Sequence, residues 1–254
     1  KSPRRMGDTI TIDGAYQYKA LMEGNPVQRF WHKSKQMIID QFLPPRPGDY
    51  VIDVGCGSGV VANHLAEKGA NVLAVDGNAS AITFAKAQFP SRQIKFVQGL
   101  VDEAFNVERP VSSIYCMEVI EHIYNDQALR MLNTFRKLLL TGGRVLLTTP
   151  NYASLWPVIE FACDKLRQTA KMQGNQHVSH FTPRRLQSIC EEAFFKIERM
   201  TSYCLFAPWI APISERFARG IHEIEVEFPV RAGSILLVIL RKRGMRMYDE
   251  SYKG

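Results

Sequence analysis

The sequence has few cysteines and no long hydrophobic run, and these absences argue against several classes of protein. Its five cysteines include no Cys-x-x-Cys pair, so we expect buried free thiols in a reducing compartment and no zinc site. The longest apolar stretch, 203–213, contains two prolines and is too short to cross a bilayer. No apolar segment follows the basic residues 1–5, so we expect no secretory signal and a cytoplasmic location.

The composition is that of an ordinary globular protein. Hydrophobic residues make up 46% and charged residues 22% of the 254 residues, which is enough to bury a core without disulfides or a structural metal. The formal net charge of +7 is compatible with nucleic acid, an anionic membrane surface or an acidic substrate. Acidic residues separate most of the basic clusters, so the charge alone selects none of these partners.

Between residues 50 and 150, short β-branched runs alternate with segments that have helical spacing of apolar positions. This alternation is typical of a parallel sheet with crossover helices. With two further strands near the C-terminus, it predicts an α/β fold with a Rossmann-like, doubly wound, seven-stranded and mostly parallel sheet. The predicted strands are 50–54, 71–75, 94–98, 113–117, 144–149, 197–204 and 234–241. The predicted helices in and after this region are 60–68, 79–88, 128–139 and 183–193, and we expect glycines 142 and 143 to end the third.

The predicted sheet divides the chain into four parts. We expect residues 1–45 to form an N-terminal helical cap, 46–151 the Rossmann-like core, 152–176 a helical insertion after the fifth strand, and 177–254 the completion of the sheet. Apolar residues recur at helical spacing in the insertion, between lysines and arginines. This pattern is compatible with a lid on the domain or with a helix lying on an anionic membrane surface. The oligomeric state is left open.

The strongest chemical signal is a glycine-rich turn between the first predicted strand and its helix. Gly55, Gly57 and Gly59 follow Asp53 in the run DVGCGSG. Glycine lets the backbone turn sharply and lie close to a ligand, and the following helix offers free N–H groups. The spacing is G-x-G-x-G, unlike the G-x-G-x-x-G of dinucleotide enzymes. Asp76 ends the second strand 21 residues after Gly55, where a carboxylate can accept hydrogen bonds from ribose hydroxyls.

These motifs, with Gly99 and the segments 116–122 and 140–150, make residues 50–150 resemble the class I S-adenosylmethionine-dependent methyltransferases. The resemblance implies S-adenosylmethionine as cofactor, with the methionine part on the glycine loop and the ribose on Asp76. The implied cofactor-binding residues are Asp53, Gly55, Cys56, Gly57, Gly59, Asp76, Gly77, Asn78, Gly99, Leu100, Met117 and Glu118. Two positions depart from the family pattern: Leu100 stands where a polar residue often meets the adenine, and Ser112 where an aspartate is usual.

Two carboxylates and an imidazole follow the fourth predicted strand within five residues: Glu118, Glu121 and His122. Such a group can bind a hard divalent cation or act in acid–base chemistry. The run resembles the bacterial ubiquinone-biosynthesis O-methyltransferases, and the likeness continues to His177, Phe181, Pro183 and Leu186. Glu-His is also frequent in small-molecule methyltransferases that need no metal, so a divalent metal is not favoured and no metal ligand is assigned.

Methyl transfer needs a base only where the acceptor must lose a proton. The candidate catalytic residues are His122, His177 and His180, because imidazoles titrate near the working pH; each can also be structural. The resemblance implies a small-molecule or lipid-like acceptor, methylated at oxygen, with peripheral membrane contact as a further option. The alternatives are a nucleic-acid or protein methyltransferase and a silent cofactor-binding protein. Nucleic acid is not favoured, because residues 117–120 lack the aromatic tetrad that holds a target base.

Overall fold

The computed structural model describes residues 13–157, 177–227 and 232–244. The strands are β1 (Tyr50–Val54), β2 (Asn71–Asp76), β3 (Ile94–Gln98), β4 (Val111–Met117), β5 (Leu139–Pro150), β6 (Phe195–Tyr203) and β7 (Ile235–Lys242). The helices are α1 (Tyr16–Met22), α2 (Pro26–Phe42), α3 (Val60–Glu67), α4 (Ala79–Gln88), α5 (Asn125–Leu138), α6 (Pro183–Glu192), α7 (Ala207–Ile210) and α8 (Glu215–Glu227), and Ile120–His122 form a 3₁₀ turn.

The seven strands form one sheet in the order β3-β2-β1-β4-β5-β7-β6. The first five strands pair in parallel, and β7 is antiparallel to both β5 and β6. This confirms the predicted Rossmann-like, mostly parallel sheet. The chain runs outward from β1 through β2 to β3 and then crosses back to β4 on the other side of β1. The strand order therefore reverses between β1 and β4, where open α/β sheets bind their ligands.

Side-chain caps fix where several helices begin. The side chain of Asn25 accepts a hydrogen bond from the Gln28 N–H, and Pro26 occupies the first turn of α2. Thr182 accepts from the Arg185 N–H in the same way at the start of α6. These caps are local, so the sequence alone fixes where α2 and α6 begin.

The two faces of the sheet bury separate cores. In β1, Ile52 packs into the cluster that contains α5 and α6, and its neighbour Val51 into the cluster on the opposite face. The second cluster includes Ile38 and Ile39 of α2, which are fully buried. The helix α2 is therefore part of the core, since burial of such side chains stabilises a fold by about 1.5–3 kcal/mol each.

The predicted third crossover helix, 128–139, ends within one residue of α5, but the role predicted for the two glycines after it was wrong. We expected Gly142 and Gly143 to end it, but α5 ends at Leu138 and both glycines lie within β5. Leu139 already pairs with Val111, and the register between β4 and β5 then shifts before the regular pairing begins. Gly142 has a φ of +76°. The two glycines therefore accommodate the irregular start of β5 rather than the end of a helix.

Other expectations were met only where the chain is described. Four of the five cysteines are free and buried, as predicted, and the fifth lies outside the described residues. Most of the predicted insertion, 158–176, also lies outside them. Sequence patterns missed α8 altogether. No helix in the described ranges is long and apolar enough to cross a membrane.

A pair of leucines tests the packing of the α5 face. Leu132 in α5 is fully buried, whereas Leu140 is 47% exposed. We expect Leu132→Ala to lower the free energy of unfolding by about 2–5 kcal/mol, because it leaves a cavity in the core. Leu140→Ala should cost less than about 1 kcal/mol. Urea unfolding of the two variants measures this difference, and equal losses would contradict the assigned core.

Candidate active site

The glycine loop lies at the carboxyl end of β1 with a backbone that only glycine adopts easily. Gly55 has a φ of +70° and Gly59 a φ of +83°. A Cβ on Gly55 would lie 2.4 Å from a methyl group of Val119, so no larger residue fits there. The N–H groups of Gly55 and Cys56 both donate to the carbonyl of Val75. These bonds tie the loop to β2 and leave its outer edge facing the point where the strand order reverses between β1 and β4.

Asp76 lies at the tip of β2 and contacts this loop directly. One carboxylate oxygen accepts a 2.8 Å hydrogen bond from the Gly57 N–H, and the other accepts a 2.8 Å bond from the Asn78 N–H. Burial raises the pKa of Asp76, and the two N–H donors offset part of that rise. The carboxylate is thus held in position at the end of its strand.

Asp53 is a buried carboxylate beneath the loop. It is 2% exposed, and its Oδ2 atom has no hydrogen-bond partner among the described residues. Burial, together with the negative charge of Asp76, raises the pKa of Asp53 to about 7. An unpaired buried acceptor of this kind favours the approach of a positively charged donor.

The helix α2 brings a cation into the same region. Lys35 is 5% exposed, and its Nζ lies 2.9 Å from Oε2 of Glu118. Glu118 follows β4 and has a φ of +57°, which is unusual for a side chain larger than glycine. Burial favours the neutral acid, but the charge and hydrogen bond of Lys35 hold the pKa of Glu118 below its usual range. This ion pair joins α2 to the end of β4.

A pocket opens beside the loop and collects several of these side chains. Its lining comes from α1, α2, the glycine loop, the start of α3 and the ends of β1 and β4: Gln17, His32, Lys35, Asp53, Gly55, Cys56, Val60, Val61 and Met117. Burial and the charge of Lys35 lower the pKa of His32 to about 3, so this ring is neutral at working pH.

Four predicted cofactor residues lie farther out. Gly77 and Asn78 follow β2, where the Asn78 side chain caps α4. Gly99 and Leu100 follow β3, and the Gly99 N–H donates to the carbonyl of Asp76. Leu100 is 42% exposed. These residues border the tip of β2 and do not line the pocket.

A second polar cluster lies after β4 and β5, and it contains two of the three predicted catalytic histidines. The His122 and His177 rings are 5.0 Å apart. The Tyr152 hydroxyl lies 2.7 Å from Nδ1 of His177. The carbonyl of Glu121 accepts hydrogen bonds from the Val178 and Ser179 N–H groups, which anchors the segment that carries His177. This second group is called the histidine cluster below: Glu121, His122, Tyr152 and His177.

Glu121 is the buried acid of the histidine cluster. It is 1% exposed and accepts a 3.0 Å hydrogen bond from Thr149. Burial raises its pKa to about 7, although His177 lowers it in part. One ligand atom each from Glu121, His122 and His177 lie within 4.8 Å of one another. The arrangement is able to exchange a proton or to hold a divalent cation.

The third predicted catalytic histidine stands apart from the polar atoms of this cluster. His180 is exposed, and its ring stacks on Tyr152 at a centroid distance of 4.1 Å. Its carbonyl accepts a hydrogen bond from Arg185. The structure therefore offers a packing role for His180 and a proton-transfer geometry for His177.

The similarity of the chain to known proteins shows which family it belongs to. Residues 27–199 match a family described as a methyltransferase domain, which is more than half of the chain. The chain belongs to this family. With its fold and its relatives, this identifies an S-adenosylmethionine-dependent methyltransferase.

The chain is similar to several curated ubiquinone biosynthesis O-methyltransferases. A ubiquinone biosynthesis O-methyltransferase from Klebsiella pneumoniae is 34% identical over 107 residues, which are 41% of this chain and 43% of that protein. One from Aeromonas salmonicida is 23% identical over 218 residues, which are 84% of this chain and 85% of that protein. The chain thus spans less than half of the first relative's length and most of the second's.

Solved structures confirm the predicted fold of this methyltransferase. An S-adenosylmethionine-dependent methyltransferase from Mesorhizobium loti superposes with a TM-score of 0.59 at 16% identity, covering 86% of this chain and 99% of that one. Magnesium protoporphyrin IX methyltransferase from Synechocystis, solved with bound SAH, gives a TM-score of 0.56 at 14% identity, covering 88% of each chain.

Sequence reasoning missed five pocket residues of the methyltransferase: Gln17, His32, Lys35, Val60 and Val61. The first three lie in the two N-terminal helices, far from the glycine motif in sequence. One signal was available, since apolar Ile38 and Ile39 lie a turn beyond Lys35 and mark α2 as a buried helix. A lysine on the buried side of such a helix requires a partner, which the sequence alone does not name.

Asp53 gives a test of the buried charges through pH. Its folded-state pKa of about 7 lies above its usual value of about 3.9, so its stabilising contribution is complete at acid pH and is lost as the pH rises through 7. Asp53→Asn lacks this loss. We expect the variant to gain about 2.7 kcal/mol in unfolding free energy relative to wild type between about pH 5 and pH 8, because about two of the three pH units between the two pKa values fall in this range.

Urea unfolding at both pH values measures this gain in the free protein. Asp102→Asn, the same change at a partly exposed carboxylate, is the matched control and should follow the wild type. If Asp53→Asn and wild type depend on pH identically, the buried acid of the pocket does not have the raised pKa.

Proposed function

We propose that this methyltransferase transfers the methyl group of S-adenosylmethionine to an oxygen atom of a small-molecule or lipid-like acceptor. The observation that carries the proposal is the histidine cluster beside the cofactor pocket, where a buried acid, two imidazoles and a phenol meet. A hydroxyl acceptor must lose a proton as the new bond forms, and an imidazole is suited to take it. The O-methyltransferase relatives support oxygen as the accepting atom.

The pocket residues fit the cofactor. S-adenosylmethionine supplies an activated methyl group on a sulfonium, together with an ammonium, a carboxylate and two ribose hydroxyls. The unpaired Oδ2 of Asp53 suits the ammonium, and Lys35, with the free N–H groups at the start of α3, suits the carboxylate. Asp76, at the tip of β2, suits the ribose hydroxyls. The ammonium and the carboxylate of the cofactor then each meet a group of opposite sign.

The acceptor oxygen would be held between the cofactor pocket and the histidine cluster. His177 accepts the proton at Nε2 in the tautomer whose Nδ1–H donates to the hydroxyl oxygen of Tyr152, 2.7 Å away. Glu121, with its pKa near 7, stabilises the imidazolium that results. Positioning of the two reactants supplies much of the remaining acceleration, on the order of 7–11 kcal/mol in well-oriented reactions.

The same cluster supports a second chemical role. Glu121, His122 and His177 place their ligand atoms close enough for a divalent cation, which would lower the pKa of a bound hydroxyl without a protein base. Turnover measured with added Mg²⁺ and with a chelator distinguishes the two roles. Activity that survives the chelator supports His177 as a general base. Activity that returns only when Mg²⁺ is added supports a divalent cation bound by the histidine cluster.

Binding of S-adenosylhomocysteine tests the cofactor assignment. Calorimetric titration of the wild type should give micromolar affinity, and NADH should give no heat of binding. We expect Asp76→Ala to weaken the affinity by tenfold or more, on the order of 1.4 kcal/mol, because the ribose hydroxyls lose their acceptor. Glu103→Ala, an exposed acid beyond β3, is the control. Full affinity in Asp76→Ala would contradict the role of that carboxylate.

Turnover tests the base once a phenolic or lipid acceptor has been found by screening. His177→Ala should lower kcat by roughly 10²–10⁴ and remove the acidic limb of the pH profile, since general bases contribute about this much. S-adenosylhomocysteine affinity should not change. His180→Ala, which removes only the ring stacked on Tyr152, should have a much smaller effect. Equal losses in the two variants would count against His177 as the base.

A further inference from the structure

The outer face of α8 carries an exposed apolar stripe. Phe217 is 62% and Ile224 is 55% exposed, and Gly220 lies between them at helical spacing. Ile213, which is 86% exposed, continues the stripe just before the helix. The opposite face of α8 is buried against the rest of the chain. An apolar stripe of this extent on the surface marks a site of interaction.

Gly220 leaves the centre of the stripe open. A Cβ at this position would meet nothing within 4 Å, so a side chain from another molecule can lie directly against the helix backbone. The apolar surface also extends beyond α8, since Phe206 and Trp209 near α7 are 60% and 46% exposed. Aromatic residues around a small central residue are typical of the core of a protein–protein interface.

Two charged residues of opposite sign lie along one edge of the stripe. Arg216 is near the start of α8, and Glu223 is two helical turns later on the same edge. Both are exposed, and neither forms an ion pair with any residue in the described ranges. Their order, positive first and negative second, is complementary to itself when a second helix runs in the opposite direction.

We propose that α8 is the interface through which two copies of this chain form a twofold-symmetric dimer. In an antiparallel pair of these helices, Phe217 packs over Gly220 of the partner subunit. In the same register Ile213 meets Ile224 of the partner subunit, and Arg216 meets Glu223 of the partner subunit. Twofold symmetry produces each contact twice, so the dimer has two ion pairs beside one apolar seam.

The charges favour a second copy over a lipid surface. Glu223 and Glu227 are both exposed beside the stripe, and an anionic bilayer would bring its headgroups against these like charges. A second α8 helix instead presents an arginine at the Glu223 position. The proposal is independent of the acceptor and of the chemistry of methyl transfer.

Charge reversal tests the pairing. We expect the full chain to sediment as a dimer at low salt, and Arg216→Glu or Glu223→Arg alone to raise the dimer dissociation constant roughly tenfold or more, because each places two like-charged pairs in the interface. An equimolar mixture of the two variants should form dimers again, since each mixed pair then contains opposite charges. The double variant should behave as the mixture does.

Lys86→Glu, a charge reversal at an exposed residue of α4, is the control and should leave the dissociation constant unchanged. Circular dichroism confirms that each variant is folded. A wild-type chain that stays monomeric on the order of 100 µM would overturn the proposal, and so would a mixture no more dimeric than its components. A monomer that instead binds anionic vesicles through Phe217 would assign the stripe to lipid.

Discussion

The reversal of strand order between β1 and β4 is the constraint on which the site depends. Neighbouring parallel strands end at the same edge of a sheet, but the connections from β1 and β4 leave in opposite directions. The glycine loop occupies one side of the resulting crevice, and Glu118 the other. Because β2 adjoins β1, Asp76 also reaches the loop. The position of each polar group therefore follows from topology before any ligand is considered.

The crevice concentrates charge around a buried carboxylate, Asp53, which is 2% exposed. Asp53, Asp76 and Glu118 bring three carboxylates together, and Lys35 brings one cation. Burial makes an unpaired charge costly, and it also strengthens every interaction with a ligand of the right sign. The unpaired oxygen of Asp53 is the clearest sign that the arrangement is built for binding rather than for stability alone.

The sequence predicted those parts of the protein that local patterns encode. The central strands β1, β2 and β4 were found because their apolar runs are buried on both faces, and the glycine loop because its spacing meets a steric need. Lys35 was missed because its partner Glu118 lies 83 residues away and only tertiary packing brings them together. The helix α8 was missed because its outer face is apolar, which obscures the periodicity of an ordinary surface helix. Gly142 was misread because helix ends and irregular strands both use glycine.

A crystal structure with S-adenosylhomocysteine would test the assignment of the pocket most directly. We predict that the ribose hydroxyls contact Asp76 and that the amino-acid end lies along the glycine loop, with its ammonium on Asp53 and its carboxylate near Lys35. The sulfur should then face the histidine cluster. A ligand that contacts neither Asp53 nor Asp76, or whose sulfur faces away from His177, would contradict the proposed site.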